Sequence, residues 1–191
     1  MTRTLLTSLL LGLLAFAWTG PAAADNYSET IAIFKDAGES GTFFGKSYGY
    51  AVFPNIGKGG FGIGGAYGKG QVYAGGALVG KTSMTQLSVG FQAGGQGYSM
   101  IIFFEDKRAF EEFTSGNFEF GAQASAVAIT AAASAGAGTT GSAAGASAGK
   151  SDATTVGDFH KGMATFIIIK GGAMYEAAIA GAKFTYKPIR K

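Results

Sequence analysis

A chain of 191 residues suits one domain with a real core and is too short for two. With 47% apolar and 13% aromatic residues it is not a disordered polypeptide, and a formal net charge of +3 is too small for a nucleic-acid-binding arm. The absence of cysteine excludes disulfides, thiolate metal sites, cysteine nucleophiles and attachment as a bacterial lipoprotein.

Residues 1–24 read as a signal peptide. Arg3 is a short positive region, residues 5–17 form an apolar run, and Ala22-Ala23-Ala24 fits a small-x-small cleavage site. The expected cut lies between Ala24 and Asp25, which makes the mature protein an exported one, periplasmic or secreted. The run is short for a membrane span, which needs about 20 residues.

Residues 26–39 predict a helix capped by Asn26 or Ser28, with Glu29 in its first turn and Gly41 ending it. Phe43 and Phe44 predict a further short turn. Beyond Tyr50 the period changes to two, and strands are expected near 50–53, 60–67, 71–79, 86–94 and 98–104. The 33 glycines, many inside these strands, imply bulges, curvature and close backbone approach. A second helix is expected over 105–114, with Asp106 as cap, a buried stripe of Ala109, Phe110 and Phe113, and Gly116 as stop. Strand resumes at Phe118 and Phe120. The Ala/Gly/Ser/Thr tract that follows starts as a weak strand, and residues 131–150 read as a low-complexity loop. Another apolar strand is expected over 163–170, a turn at Gly171-Gly172, and a final strand or pair of strands over 173–186.

A Gly-Lys pair recurs at Gly45-Lys46, Gly57-Lys58, Gly68-Lys69 and Gly80-Lys81, a spacing of 12, 11 and 12. In a meander this spacing places each lysine at a turn, with Lys58 and Lys81 at one end of the sheet and Lys46 and Lys69 at the other. No acidic residue lies between Glu39 and Glu105. Uncompensated lysines with Phe61, Tyr67 and Tyr73 nearby fit an anionic membrane surface, where each lysine contributes about 1 kcal/mol and aromatics enter the headgroup region. Taken alone, the lysines are better explained as ordinary solvated turn residues.

Other signals lead away from catalysis. Residues 75–82 fit G-x-x-x-x-G-K-[ST], but a phosphate loop needs a helix opening at the lysine, and residues 83–94 read as strand. No nucleotide is expected. The spacing around Gly60 does not fit a dinucleotide fingerprint, and no helix follows it. His160 is the only histidine, so a metal site or a Ser-His-Asp triad lacks parts. No catalytic residue, metal or cofactor is expected.

The block from Ala51 through Pro54-Asn55-Ile56-Gly57-Lys58-Gly59-Gly60-Phe61-Gly62-Ile63-Gly64-Gly65 to Tyr73 resembles the SYLF domain. The resemblance continues in Ser88-Val89-Gly90-Phe91-Gln92-Ala93-Gly94-Gly95-Gln96 and through Phe118-Glu119-Phe120-Gly121, covering most of residues 27–184. It implies a lipid-binding module, also described as an actin-regulator domain in yeast. It further implies phosphatidylinositol or other anionic phospholipid as ligand. Actin is not carried over to an exported protein, and no protein partner is named.

The expected fold is α+β: a curved, mostly antiparallel glycine-rich sheet or partly closed barrel with two or three short helices, forming a single domain over residues 25–191. The expected function is non-enzymatic binding of anionic phospholipid at the bacterial envelope. A small outer-membrane β-barrel and a self-associating structural envelope protein are the rival readings.

Overall fold

The computed structural model describes residues 26–121, 124, 126–129, 159–172 and 179–189. The signal segment with its Ala24/Asp25 cut, and the 131–150 tract, lie outside the described residues.

Helix α1 (Tyr27–Asp36) opens at Asn26, whose side chain accepts a hydrogen bond from the Glu29 backbone N–H at 3.2 Å. One helix over 26–39 was expected, but Ala37 is extended (ψ 110°) and breaks it. The chain restarts as α2 (Gly38–Gly41) and a 3-10 turn (Thr42–Gly45). Ser40 holds this break, donating from its buried hydroxyl to the Phe34 carbonyl at 2.6 Å.

The centre of the molecule is one long hairpin, β1 (Gly49–Ala74) against β2 (Ala77–Phe104). Gly75 and Gly76 form its turn with φ of +56° and +80°, the left-handed pair that a tight hairpin requires. Of the five strands expected between residues 50 and 104, 50–53 and 60–67 are therefore parts of β1, 86–94 and 98–104 are parts of β2, and 71–79 runs across the turn. Glycines that look like turn punctuation in the sequence remain within the ladder. After β2 come α3 (Lys107–Thr114), β3 (Phe118–Glu119), β4 (Val127–Ile129), β5 (Met163–Gly172) and β6 (Lys183–Pro188).

Among the described residues the sheet has the order β3-β6-β2-β5-β4, with β1 on β2. Strand β2 is its spine. Its first half pairs with β6 (Gly80↔Pro188 to Thr85↔Lys183), and its second half pairs with β5 (Gln96↔Gly172 to Phe104↔Met163). All pairs are antiparallel except β4–β5. Gly171 and Gly172, expected as a turn, are the last ladder residues of β5.

The hairpin bends back on itself. The ladder slips at Phe61/Ile63, where β2 carries extra residues. Beyond the bend the second half of β1 returns over the first. A Cβ on Gly70 would lie 2.7 Å from the Phe53 ring, and one on Gly49 would fall on the Tyr73 carbonyl. The result is a curled, mostly antiparallel sheet with an inside and an outside. The inside holds Ala51, Phe53, Ile56, Val72, Met84, Tyr98, Met100 and Phe104. Helix α3 closes it, with Phe113 against Phe104 (4.8 Å) and Phe184 (5.2 Å). The Asp106 cap sits as expected, accepting from the Ala109 N–H at 2.8 Å. A second core lies outside the first half of the hairpin, where Phe34 and Phe43 cover Val52, Ile101 and Phe103.

Candidate functional site

Beyond the bend, inward and outward positions alternate strictly. Ala66, Val72, Met84 and Gln86 are buried, whereas Tyr67, Lys69, Lys81, Thr85 and Leu87 are exposed. Partners in an antiparallel ladder share a face, so the register shows which outward residues are neighbours. Lys69 pairs with Ser83, which pairs with Thr185, and the two hydroxyls lie 2.7 Å apart. Gln71 pairs with Lys81, which pairs with Lys187. Tyr67 pairs with Thr85, which pairs with Lys183. The outer face of three strands thus presents Lys69, Lys81, Lys183 and Lys187 together. Lys183 is partly neutralised by Glu119 at 3.5 Å. No ion pair among the described residues engages Lys69, Lys81 or Lys187. A cleft of about 230 Å³ lies here, lined by Lys69, Lys81, Gln71 and Tyr27 from the start of α1.

This arrangement corrects the placement read from the spacing. The lysines are not at the turns of a meander. Lys58, Lys69 and Lys81 are strand residues, and the pair brought together is Lys69 with Lys81, not Lys58 with Lys81. Lys58 is 6% exposed, opposite Gln96 on the inner face, so it is withdrawn from the outer surface. Lys46 is exposed but ends the 3-10 turn, outside the cleft. Tyr67 stands on the basic face, 52% exposed. Tyr73 is committed to packing: it stacks on Tyr50 and donates its hydroxyl to Gln71 Oε1 at 2.6 Å. Burial raises its pKa above the usual tyrosine value. The Phe61 side chain lies outside the described residues.

Sequence reasoning missed Lys183 and Lys187 as members of the site. The run of basic residues at the C-terminus was visible. Their juxtaposition with Lys81 depends on β6 pairing with β2, which no local pattern carries.

The rejected phosphate loop is the hairpin turn followed by strand. Lys81 and Thr82 are ladder residues, and no helix opens there. His160 is exposed and starts the tight turn to Met163, where each residue's N–H donates to the other's carbonyl (2.9 and 3.0 Å). Among the described residues no group of three metal-ligating side chains occurs.

Residues 85–187 match the family model described as "Ysc84: Las17-binding protein actin regulator". The matched interval includes Lys183 and Lys187 and starts after Lys81. The protein named Beta cell expansion factor A, from Aeromonas veronii, is 29% identical over 157 residues, which cover 81% of this chain and 51% of that protein. The chain therefore spans about half the length of that relative.

Proposed function

Because this chain belongs to the Ysc84, or SYLF-domain, family of non-catalytic lipid-binding or actin-regulator-like domains, we propose that it binds anionic phospholipid headgroups on the outer face of its bent hairpin. One observation carries this reading. Lys69, Lys81 and Lys187, distant in sequence, converge on one exposed face without a compensating carboxylate among the described residues. Near an anionic surface each lysine contributes about 1 kcal/mol, so the three together give weak, salt-sensitive attachment. The cleft beside Tyr27 gives one phosphate a place between Lys69 and Lys81.

The protein acts at the surface of a bacterial envelope membrane after export. The lysine-bearing outside of the curl supports peripheral attachment over a spanning barrel, whose outward band is apolar. No helix among the described residues is long and apolar enough to cross a membrane. Sedimentation with vesicles tests the proposal. Phosphatidylglycerol-containing vesicles should pull the protein down at low salt, and phosphatidylcholine vesicles should not. Lys69→Glu with Lys81→Glu should abolish the difference. Equal binding to both vesicle types would refute the electrostatic reading.

A further inference from the structure

The same outer face carries a second chemistry. Leu87 is 84% exposed, Ile63 71% and Tyr67 52%. They occupy successive rungs: Ile63 pairs with Val89, Gly65 with Leu87, and Tyr67 with Thr85. Leu87 faces a glycine, so nothing directly across the ladder covers it. The next two rungs hold Lys69 and Lys81. Along one face, over one hairpin, the surface therefore grades from aliphatic through an aromatic with a polar tip to basic. The inward-facing neighbours Ala66 and Met84 are buried at 6% and 0%, so the core is already filled without these apolar residues. The gradient has the order of a bilayer interface: hydrocarbon, then amphipathic aromatics, then phosphate.

We propose that Ile63, Leu87 and Tyr67 form a wedge that enters the acyl–headgroup boundary of an anionic membrane while Lys69, Lys81 and Lys187 hold phosphates above it. This rests on the lipid-binding reading and adds depth and orientation to it. Charge complementarity selects the occupant, because a basic margin beside an apolar tip matches an anionic lipid surface. Attachment then has two components. Salt removes the lysine part, and the inserted side chains supply a part that salt leaves in place.

The chain has no cysteine, so Leu87→Cys takes a single environment-sensitive fluorophore, and Glu111→Cys on exposed α3 serves as control. With phosphatidylglycerol vesicles the label at position 87 should shift to the blue and brighten, and that at 111 should not. Ile63→Ser with Leu87→Ser should lower vesicle affinity about tenfold and leave a residue of binding that salt removes entirely. Both side chains are exposed, so the melting temperature should hold. If the vesicles still sediment the protein but the label stays aqueous, or the double serine variant binds like the parent, the wedge is wrong and headgroup binding stands. If no vesicle sediments the protein at low salt, both readings fall. A blue shift that grows with protein concentration in the absence of vesicles would assign the face to a second copy of the chain and overturn the lipid occupant.

Discussion

Tyr50 and Tyr73 stack at 5.0 Å with their rings 17° from parallel, although almost the whole of β1 lies between them. The contact joins the start of the strand to its end, and so records the closure of the curl. Offset aromatic pairs contribute about 0.5–1.5 kcal/mol beyond the area they bury. A double-mutant cycle of Tyr50→Ala and Tyr73→Ala, read by urea unfolding, should give a coupling of that size. Additive losses would mean that the two rings act independently and that closure rests elsewhere.

Closure also explains the glycines that matter. A Cβ on Gly60 would lie 2.3 Å from Gly64 Cα, a backbone atom that cannot swing aside. A Cβ on Gly57 meets nothing within 4 Å. Gly60→Ala should therefore cost about 2 kcal/mol or more, while Gly57→Ala should stay within about 0.5 kcal/mol of the parent. The two substitutions are chemically identical, so the difference measures the bend.

Tyr98 gives the pH dependence. It is 3% exposed, and burial pushes its pKa up to about 12. An unfolded tyrosine loses its proton near pH 10 and the folded one near 12. Between these values the folded state holds more protons, so stability falls as pH rises. The fall should reach about 3 kcal/mol from this residue, complete only above the folded value. Tyr98→Phe should flatten that part of the profile, measured as denaturant midpoint against pH. Tyr50 and Tyr186 are shifted the same way by burial and will leave a smaller slope behind.

The Asp106 cap offers a local test. Its carboxylate accepts the Ala109 N–H, and Asp106→Ala should cost about 1 kcal/mol. Asp106→Asn, which keeps an accepting oxygen, should recover most of that loss in thermal melts.

Much of this fold was legible in the sequence where the signal was local. The caps at Asn26 and Asp106, the Phe113 stripe and the apolar strand from Met163 each depend on residues a few positions apart. The curved antiparallel sheet was legible too, because glycines inside strands have few other uses. The expected turns failed for the same reason. A glycine that lets two backbones touch, such as Gly68 against Asn55, has the same letter as one that reverses the chain. The candidate face was half legible: Lys69, Lys81 and Tyr67 were named and lie exposed on it, but the burial of Lys58 and the arrival of Lys187 follow from long-range pairing.

The strict alternation beyond the bend also sets the cost of an error in assembly. Beyond the bend, β1 and β2 take their register from the turn at Gly75-Gly76 and the irregularity at Val72/Tyr73 beside it. A slip of one residue there would turn one strand over relative to the other, carrying either Lys69 inside as Ala66 and Val72 leave, or Lys81 and Leu87 inside as Met84 leaves. Either way the misaligned hairpin would draw an ammonium group inside, which costs stability unless a partner receives it. The lysines on the outer face therefore also weigh against the wrong register.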